Sequence, residues 1–378
     1  MVKKVGEFFL HLLAYGGVSI EKGVLYVWND PAYFIPTTSI TRLFHDIKMK
    51  LGKSGEELLY WIGELNGSNG DKLLMNRYGF SENDFQKFME GGSMDGWGEI
   101  KKQKDRVSNL NQFYLEVDNS TYAEHYKKIY GISKNCQDFY LSGLIGGAKV
   151  LVKKPLFCIE TNCICKGDKS CTFELKRIKS PYKFNFLKNI DLDVERLKRS
   201  SYTLYSSRQN KFKVFKKINL NIGGGVFEFN NTRGVVIQTY IIVILFEILS
   251  KLLQNKEYCK MISDFSKSIV EEFNNSNKIP NKKKSIQSLI EKSNGLSWGE
   301  FRLISSTKNH FLIEHTKNPY SEDYKILFGR PNKLIDDFSA SLLKFFFEKN
   351  LNKKVTSKEI KCRVNNHPTC IYELRLIT

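Results

Sequence analysis

The chain repeats itself. Trp97-Gly98-Glu99 returns as Trp298-Gly299-Glu300, 201 residues on. Asn111-Gln112-Phe113-Tyr114-Leu115-Glu116 returns as Asn309-His310-Phe311-Leu312-Ile313-Glu314 at an offset of 198, and Asp138-Phe139 as Asp337-Phe338 at 199. Glu160-x-x-Cys163 returns as Glu359-x-x-Cys362, and Cys171-Thr172-Phe173-Glu174-Leu175 as Cys370-Ile371-Tyr372-Glu373-Leu374, both at 199. Gly23-Val24 matches Gly225-Val226 at 202. Matches in one order with nearly constant offset mean a duplicated unit, and each copy, at roughly 170 residues, is long enough to bury its own core. The organisation read from this is a first domain over 1–178, a basic linker over 179–205 and a second, degenerate copy over 206–378.

Periodicity predicts an α+β fold within each copy, helices packed on an antiparallel sheet. Leu25-Tyr26-Val27-Trp28 and Phe227-Glu228-Phe229 read as strands. Ile40, Leu43, Phe44, Ile47 and Leu51 have helical spacing, which predicts a helix over Thr38–Leu51. A second helix is expected over Ser54–Leu65 with Ser54 as N-cap. Trp97–Val107 and Asn111–Val117 read as a strand pair, and Cys136–Leu151 as a helix whose Gly143, Gly146 and Gly147 permit close packing. Phe157–Cys163 and Cys171–Arg177 read as strands joined at Lys166-Gly167-Asp168.

Lys and Arg outnumber Asp and Glu by 59 to 40, and the excess is uneven: +4 over 1–180 and +15 over 181–378. Arg196–Lys217 is the densest basic stretch, with Tyr202, Tyr205, Phe212 and Phe215 interleaved. Such a pattern can track a nucleic-acid backbone or an acidic protein partner, but it equally describes a solvated linker or an edge strand kept soluble by lysine. Met1–Tyr15 lacks the form of a secretory signal, and Val235–Phe246 is shorter than the roughly 20 residues a membrane helix needs. The expectation is a cytoplasmic chain with no membrane span and reduced thiols, in which clustered cysteines point to metal more than to disulfides.

Cys136, Glu160, Cys163 and Cys171 form such a cluster in the first copy. Three thiolates and one carboxylate fill a tetrahedral zinc site, and four protein ligands make it closed and structural. Cys158 and Cys165 lie nearby in sequence, so an exchange of ligand is open, and spacing alone leaves four unrelated buried thiols as the other reading. The second copy keeps Glu359, Cys362 and Cys370, but at offset 199 the counterpart of Cys136 is Ile335; Asp336 or His367 could substitute, or the copy is held by packing alone.

The run Cys136, Gly143, Gly146-Gly147, Phe157-x-x-Glu160-x-x-Cys163-x-x-x-Gly167-Asp168-x-x-Cys171-x-Phe173 resembles the 4-vinyl reductase-type domain. Gly96-Trp97-Gly98, Ser120, Glu124 and Gly131 also fit that pattern. The family includes sensor domains of phenol- and xylene-responsive activators, hydrocarbon-binding proteins and a protein linked to bacteriochlorophyll synthesis. Its fold is shared with Golgi-tethering subunits and is often dimeric. The resemblance implies a structural Zn2+ on Cys136, Glu160, Cys163 and Cys171, and a buried pocket beside it for a small apolar or aromatic ligand. It further implies an internal pseudo-dimer or a homodimer. Where the phenol sensors carry a ligand-contacting Trp, this chain has Val117, and it has no ATPase module with a phosphate-binding loop. The expected function is a non-catalytic small-molecule sensor, with a nucleic-acid-associated regulator and a reductase of a vinyl-bearing tetrapyrrole as alternatives. No nicotinamide or flavin motif supports the last.

Overall fold

In the computed structural model, the described residues are 18–27, 30–78, 95–102, 112–133, 136–209, 220–223, 226–229, 231–276, 285–294, 296–331 and 334–377. Trp28, Gly91-Gly92 and the basic residues Lys211, Lys213, Lys216 and Lys217 lie outside them. The first copy opens with strands β1 (Val18–Glu21), β2 (Val24–Val27) and β3 (Asp30–Pro36). Helices α1 (Thr37–Leu51) and α2 (Lys53–Tyr78) follow, then β4 (Glu99–Lys102), β5 (Gln112–Asp118) and α3 (Thr121–Tyr130). Next come α4 (Phe139–Gly146), the single turn α5 (Lys149–Val152), β6 (Phe157–Asn162) and β7 (Cys171–Lys176). Helix α6 (Val194–Gln209) leads to the second copy: β8 (Leu220–Gly223), β9 (Val226–Phe229), β10 (Thr232–Gln238), α7 (Thr239–Leu252) and α8 (Asn255–Ser276). It continues with α9 (Ile286–Ser293), β11 (Glu300–Ser306), β12 (His310–Lys317), α10 (Pro319–Phe328), α11 (Asp337–Leu351), β13 (Val355–Lys361) and β14 (Cys370–Leu376).

The fold is α+β, and all strand pairs are antiparallel among the described residues. Each copy has its own four-stranded sheet, β4-β5-β7-β6 in the first and β11-β12-β14-β13 in the second. The remaining strands join across the copies into one six-stranded sheet, β1-β2-β3-β10-β9-β8. Its central register has the symmetry of a two-fold. Phe34 faces Val236, its counterpart 202 residues on, and to either side Tyr33 pairs with Ile237 and Ile35 with Val235. The duplicated unit therefore closes on itself: β3 and β10, which would otherwise be sheet edges, pair with each other, so neither presents an open edge.

The helices explain why this pairing is stable. Helices α1, α7 and α8 all pack on β3 and β10. Helix α1 begins at Pro36 without a capping side chain of its own, and the second copy supplies one. The Glu272 carboxylate accepts from Thr38 N (3.3 Å), Ser39 N (2.9 Å) and the Ser39 hydroxyl (2.7 Å), satisfying amides that a helix start leaves open. The hairpin of the first copy also meets the Trp-Gly turn of the second, with Gly299 N donating to Gly23 O at 2.8 Å. Gly96 in turn lies so close to β10 that a Cβ there would sit 2.5 Å from Gly234 O.

Helix α2 runs far past the expected Leu65, and Ser54 lies inside it rather than capping it. Asn66-Gly67-Ser68-Asn69-Gly70 reads as a break by propensity, but Gly67 is where the helix meets α4: a Cβ there would lie 2.2 Å from Leu144 O. The expected helix over Cys136–Leu151 begins only at Phe139 and is split into α4 and α5. The described part of the basic stretch is α6, whose Leu197, Ser201 and Leu204 are buried. No helix among the described residues is long and apolar enough to cross a membrane.

Candidate metal centre

The first site is built by two local devices. Strand β6 ends at Asn162, and the chain turns through a 3-10 segment, Ile164–Lys166, before β7 starts at Cys171. The Asp168 carboxylate accepts from Cys163 N at 2.7 Å, and the Cys163 carbonyl accepts from Lys166 N at 2.8 Å and Asp168 N at 3.2 Å. Gly167 takes φ +100° to close the turn. The turn folds Cys163 back beside Cys171, with sulfurs 3.7 Å apart. The second device is the start of α4, where Asp138 caps the helix through Leu141 N (2.9 Å). The backbone N–H of Asp138 donates to Glu160 Oε2 at 2.8 Å.

Glu160, Cys163 and Cys171 thus converge, with one ligand atom from each within 4.8 Å of the others, and all three are buried. Glu160 Oε1 is buried and has no hydrogen-bond partner. Burial pushes the Glu160 carboxyl up, while the Cys163 thiol is held up by its hydrogen bond to Cys171 and by burial. An unpartnered buried carboxylate oxygen beside two buried thiols is a costly arrangement on its own, and a thiophilic divalent cation would resolve it. The donor set fits zinc.

Cys136 reaches the same cluster, its sulfur 3.5 Å from that of Cys163, but it is joined to Cys165 as a disulfide, and Cys165 lies 3.3 Å from Cys163. A metal takes Cys136 or Cys165 as a ligand only when that bond is reduced. Cys158 is buried with a free thiol and belongs to neither group of clustered cysteines around Cys163.

Lys48 is a component that sequence reading misses, since a lysine in the last turn of an amphipathic helix normally faces water. Here it is buried. Its Nζ donates to Tyr122 Oη (2.6 Å) and to the Gln137 carbonyl (3.2 Å) and sits 4.9 Å from the Tyr122 ring centre and 5.4 Å from that of Tyr126. Burial lowers its pKa to about 8, against the pull of Asp138 and Glu160. Asp138 is pushed up to about 7 by burial and by Glu160.

The second site repeats the core of the first. Glu359, Cys362 and Cys370 come together within the same 4.8 Å, all buried, with the sulfurs 3.9 Å apart. Glu359 Oε2 accepts from Ile335 N (3.0 Å) and Asp336 N (3.2 Å), and its Oε1 is again buried without a partner. The helix start is displaced by one residue relative to the sequence match: the cap matching Asp138 is Asp336, not Asp337. The Asp336 carboxylate is committed to Ser339 N (2.9 Å), Asn318 (2.6 Å) and Tyr372 Oη (2.6 Å). His367 Nδ1 sits 2.8 Å from Thr369 O.

The space between helices and sheet in the first copy, where the resemblance implies a pocket, holds the rings of Phe44, Trp97, Tyr122 and Tyr140, with Trp97 and Tyr140 4.6 Å apart. A cavity of about 200 Å³ lies instead between α1 and α8, lined by Arg42, Leu43 and Asp46 on one side and Met261, Asp264, Phe265, Lys267, Ser268 and Glu271 on the other. Val117 stands opposite Cys171 in the sheet, and the same place opposite Cys370 holds His315. The His315 ring is fully buried, stacks on Phe301 at 4.1 Å, and is lowered to a pKa of about 3 by burial, which outweighs the carbonyls of Trp298 and Lys317. The folded chain keeps this ring neutral while the unfolded chain protonates it below its ordinary value of 6.5. Stability is therefore expected to fall as pH drops from 6.5 towards 3, by up to about 1.4 kcal/mol per pH unit. His315→Leu should remove that slope; urea titrations of both proteins at about pH 7 and about pH 5 check it, and equal slopes would contradict it.

No protein-family model and no curated protein matches the chain. Among solved structures, the chain is similar to the phenol-responsive sensory domain of the transcription activator PoxR with phenol, at 11% identity over 42% of this chain and 84% of that one, TM-score 0.37. It is also similar to a trafficking protein particle complex subunit 3 from Naegleria fowleri covalently bound to palmitic acid, at 12% identity over 37% and 95%, TM-score 0.31. A third is a vinyl-4-reductase family protein from Methanocaldococcus jannaschii, at 14% identity over 36% and 77%, TM-score 0.25.

Proposed function

We propose that this chain is a non-catalytic small-molecule-binding protein of the sensor type, a fused pseudo-dimer whose first copy is pinned by a structural zinc ion. The observation that supports the metal reading is the Glu160–Cys163–Cys171 trio with its buried, unpartnered carboxylate oxygen. In the reduced protein, Cys136 is the fourth ligand and ties the start of α4 to the end of the β6–β7 sheet. Four protein ligands leave no position for substrate, so the ion's role there is to hold structure. The ligand-binding part of the reading takes an apolar or aromatic small molecule; the seam between α1 and α8, where its binding would move one copy relative to the other, offers it Leu43, Met261 and Phe265 among the charged side chains of Arg42, Asp46, Asp264, Lys267 and Glu271.

Native mass spectrometry of the purified full chain, with thermal unfolding in the presence of phenol, catechol and toluene as probes, tests both parts. The expected result is retained zinc and either a retained organic mass or a rise in melting temperature with one of the probes. Zinc without any organic mass or thermal shift would remove the sensor reading and leave the metal reading in place.

A further inference from the structure

The two sites differ in what surrounds the shared trio. In the first, Cys136 and Cys165 crowd the ion position from one side. At offset 199 their counterparts are Ile335 and Val364, and the one-residue displacement of the helix start puts Leu334 beside Ile335; none of these side chains can ligate a metal. Of the nearby donors, Asp336 is consumed by three hydrogen bonds and His367 is turned to the Thr369 carbonyl. Among the described residues, the second trio has no fourth protein ligand. Its three ligands are nonetheless prepared as the first set is. Two backbone amides fix Glu359 Oε2, its Oε1 is buried without a partner, and Arg363 N donates to the Cys370 sulfur at 3.4 Å.

Charge separates the sites further. A divalent ion with three thiolates and a carboxylate carries two net negative charges, and in the first copy the buried Lys48 ammonium stands by to offset them. Helices α1 and α7 start 202 residues apart, so the counterpart of Lys48 is Ser250, whose hydroxyl merely bonds the Glu247 carbonyl. The second set, with two thiolates and one carboxylate, carries one net negative charge on a divalent ion. With Ile335 and Val364 standing at the sequence positions of Cys136 and Cys165 and no lysine at the position of Lys48, a fourth anionic ligand is disfavoured and a neutral one is not.

We propose that the second copy binds a thiophilic divalent metal through Glu359, Cys362 and Cys370 alone, and that its fourth position is an open site for a small neutral donor, water at rest and a nitrogen ligand of the imidazole class when one is supplied. Three protein ligands with an exchangeable fourth is the arrangement of a reactive or ligand-reporting metal rather than a structural one. The inference rests on the metal reading of the duplicated trio, but it concerns the other copy and can stand or fall separately.

The test is cobalt(II) reconstitution of the reduced full chain, with metal counted by native mass spectrometry and the visible ligand-field bands followed as imidazole is added. The expected result is two cobalt ions per chain and a band shift with imidazole. In Cys362→Ser/Cys370→Ser one ion should be lost and the shift should vanish. Should that variant fail to fold, Glu359→Gln keeps the side-chain size and should weaken the imidazole-responsive ion by at least about tenfold. One ion per chain in the wild type, unaffected by these substitutions, would overturn the proposal, as would two ions with no response to imidazole. An ion lost in Cys362→Ser/Cys370→Ser but never in Cys163→Ser/Cys171→Ser would instead remove the zinc reading of the first copy and leave this one standing.

Discussion

Cys163→Ser is expected to strip the first site of its ion and lower the melting temperature by about 10 °C or more. Cys163 is the hub of that cluster, with the sulfurs of Cys136, Cys165 and Cys171 all within 3.7 Å of it. Structural zinc contributes roughly 10–16 kcal/mol of apparent binding energy in small zinc peptides, so even a loss of about 4 kcal/mol is a modest share. For a unit of this size that loss corresponds to about 8–16 °C. What remains after the substitution is a buried carboxylate with an orphan oxygen and no cation, which adds to the cost. Cys158→Ser is the control, because Cys158 is as buried but stands outside the trio. It should keep its metal and lose less than about 5 °C. Equal losses in the two variants, with metal retained in both, would show that Cys163 acts by packing alone.

Gly143→Ala is expected to destabilise the protein by about 3 kcal/mol or more, against the direction that helix propensity gives. In an exposed helix the change would stabilise by about 1 kcal/mol. Here α4 lies against α2 with backbone on backbone. A Cβ on Gly143 would sit 2.0 Å from the Tyr60 carbonyl oxygen and 2.9 Å from Glu64 N. Across the same contact Gly63 lies against Tyr140 O and Gly147 against Ser68 N, so neither helix can retreat without losing the other's contacts. Those helices also carry the site, since α4 is capped by Asp138, whose amide holds Glu160. Urea unfolding of Gly143→Ala beside Gly70→Ala separates the effects. Gly70 lies within α2 and a Cβ there would meet nothing within 4 Å, so its substitution should stabilise by up to about 1 kcal/mol.

The duplication and the strand–turn–strand ending of each copy were legible because they rest on local signals: short motifs such as Trp97-Gly98-Glu99 and Glu160-x-x-Cys163 recurring at a nearly constant offset, and the runs Phe157–Cys163 and Cys171–Arg177 joined at Lys166-Gly167-Asp168. Convergence of Glu160, Cys163 and Cys171 followed from that hairpin. The pairing of β3 with β10 was not legible, because two strands from distant parts of the chain carry no mutual signal; only the symmetric register, centred on Phe34 and Val236, shows why they meet. The length of α2 was hidden by Gly67 and Gly70, which propensity reads as a break and the structure uses in part as a contact with α4. Lys48 was hidden for a related reason: its burial depends on Tyr122 and Gln137, more than seventy positions away. Cys165 was visible as a neighbour, but its bond to Cys136 was not.

X-ray absorption at the zinc edge of the reduced, zinc-loaded full chain bears most directly on whether these carboxylate–thiolate trios hold an ion. The account predicts a first shell dominated by sulfur at ~2.3 Å with a minor oxygen contribution at ~2.0–2.2 Å. In Cys163→Ser/Cys171→Ser the zinc bound per chain should fall by one ion. A shell made only of nitrogen and oxygen, or a protein that takes up no zinc once its thiols are reduced, would contradict it.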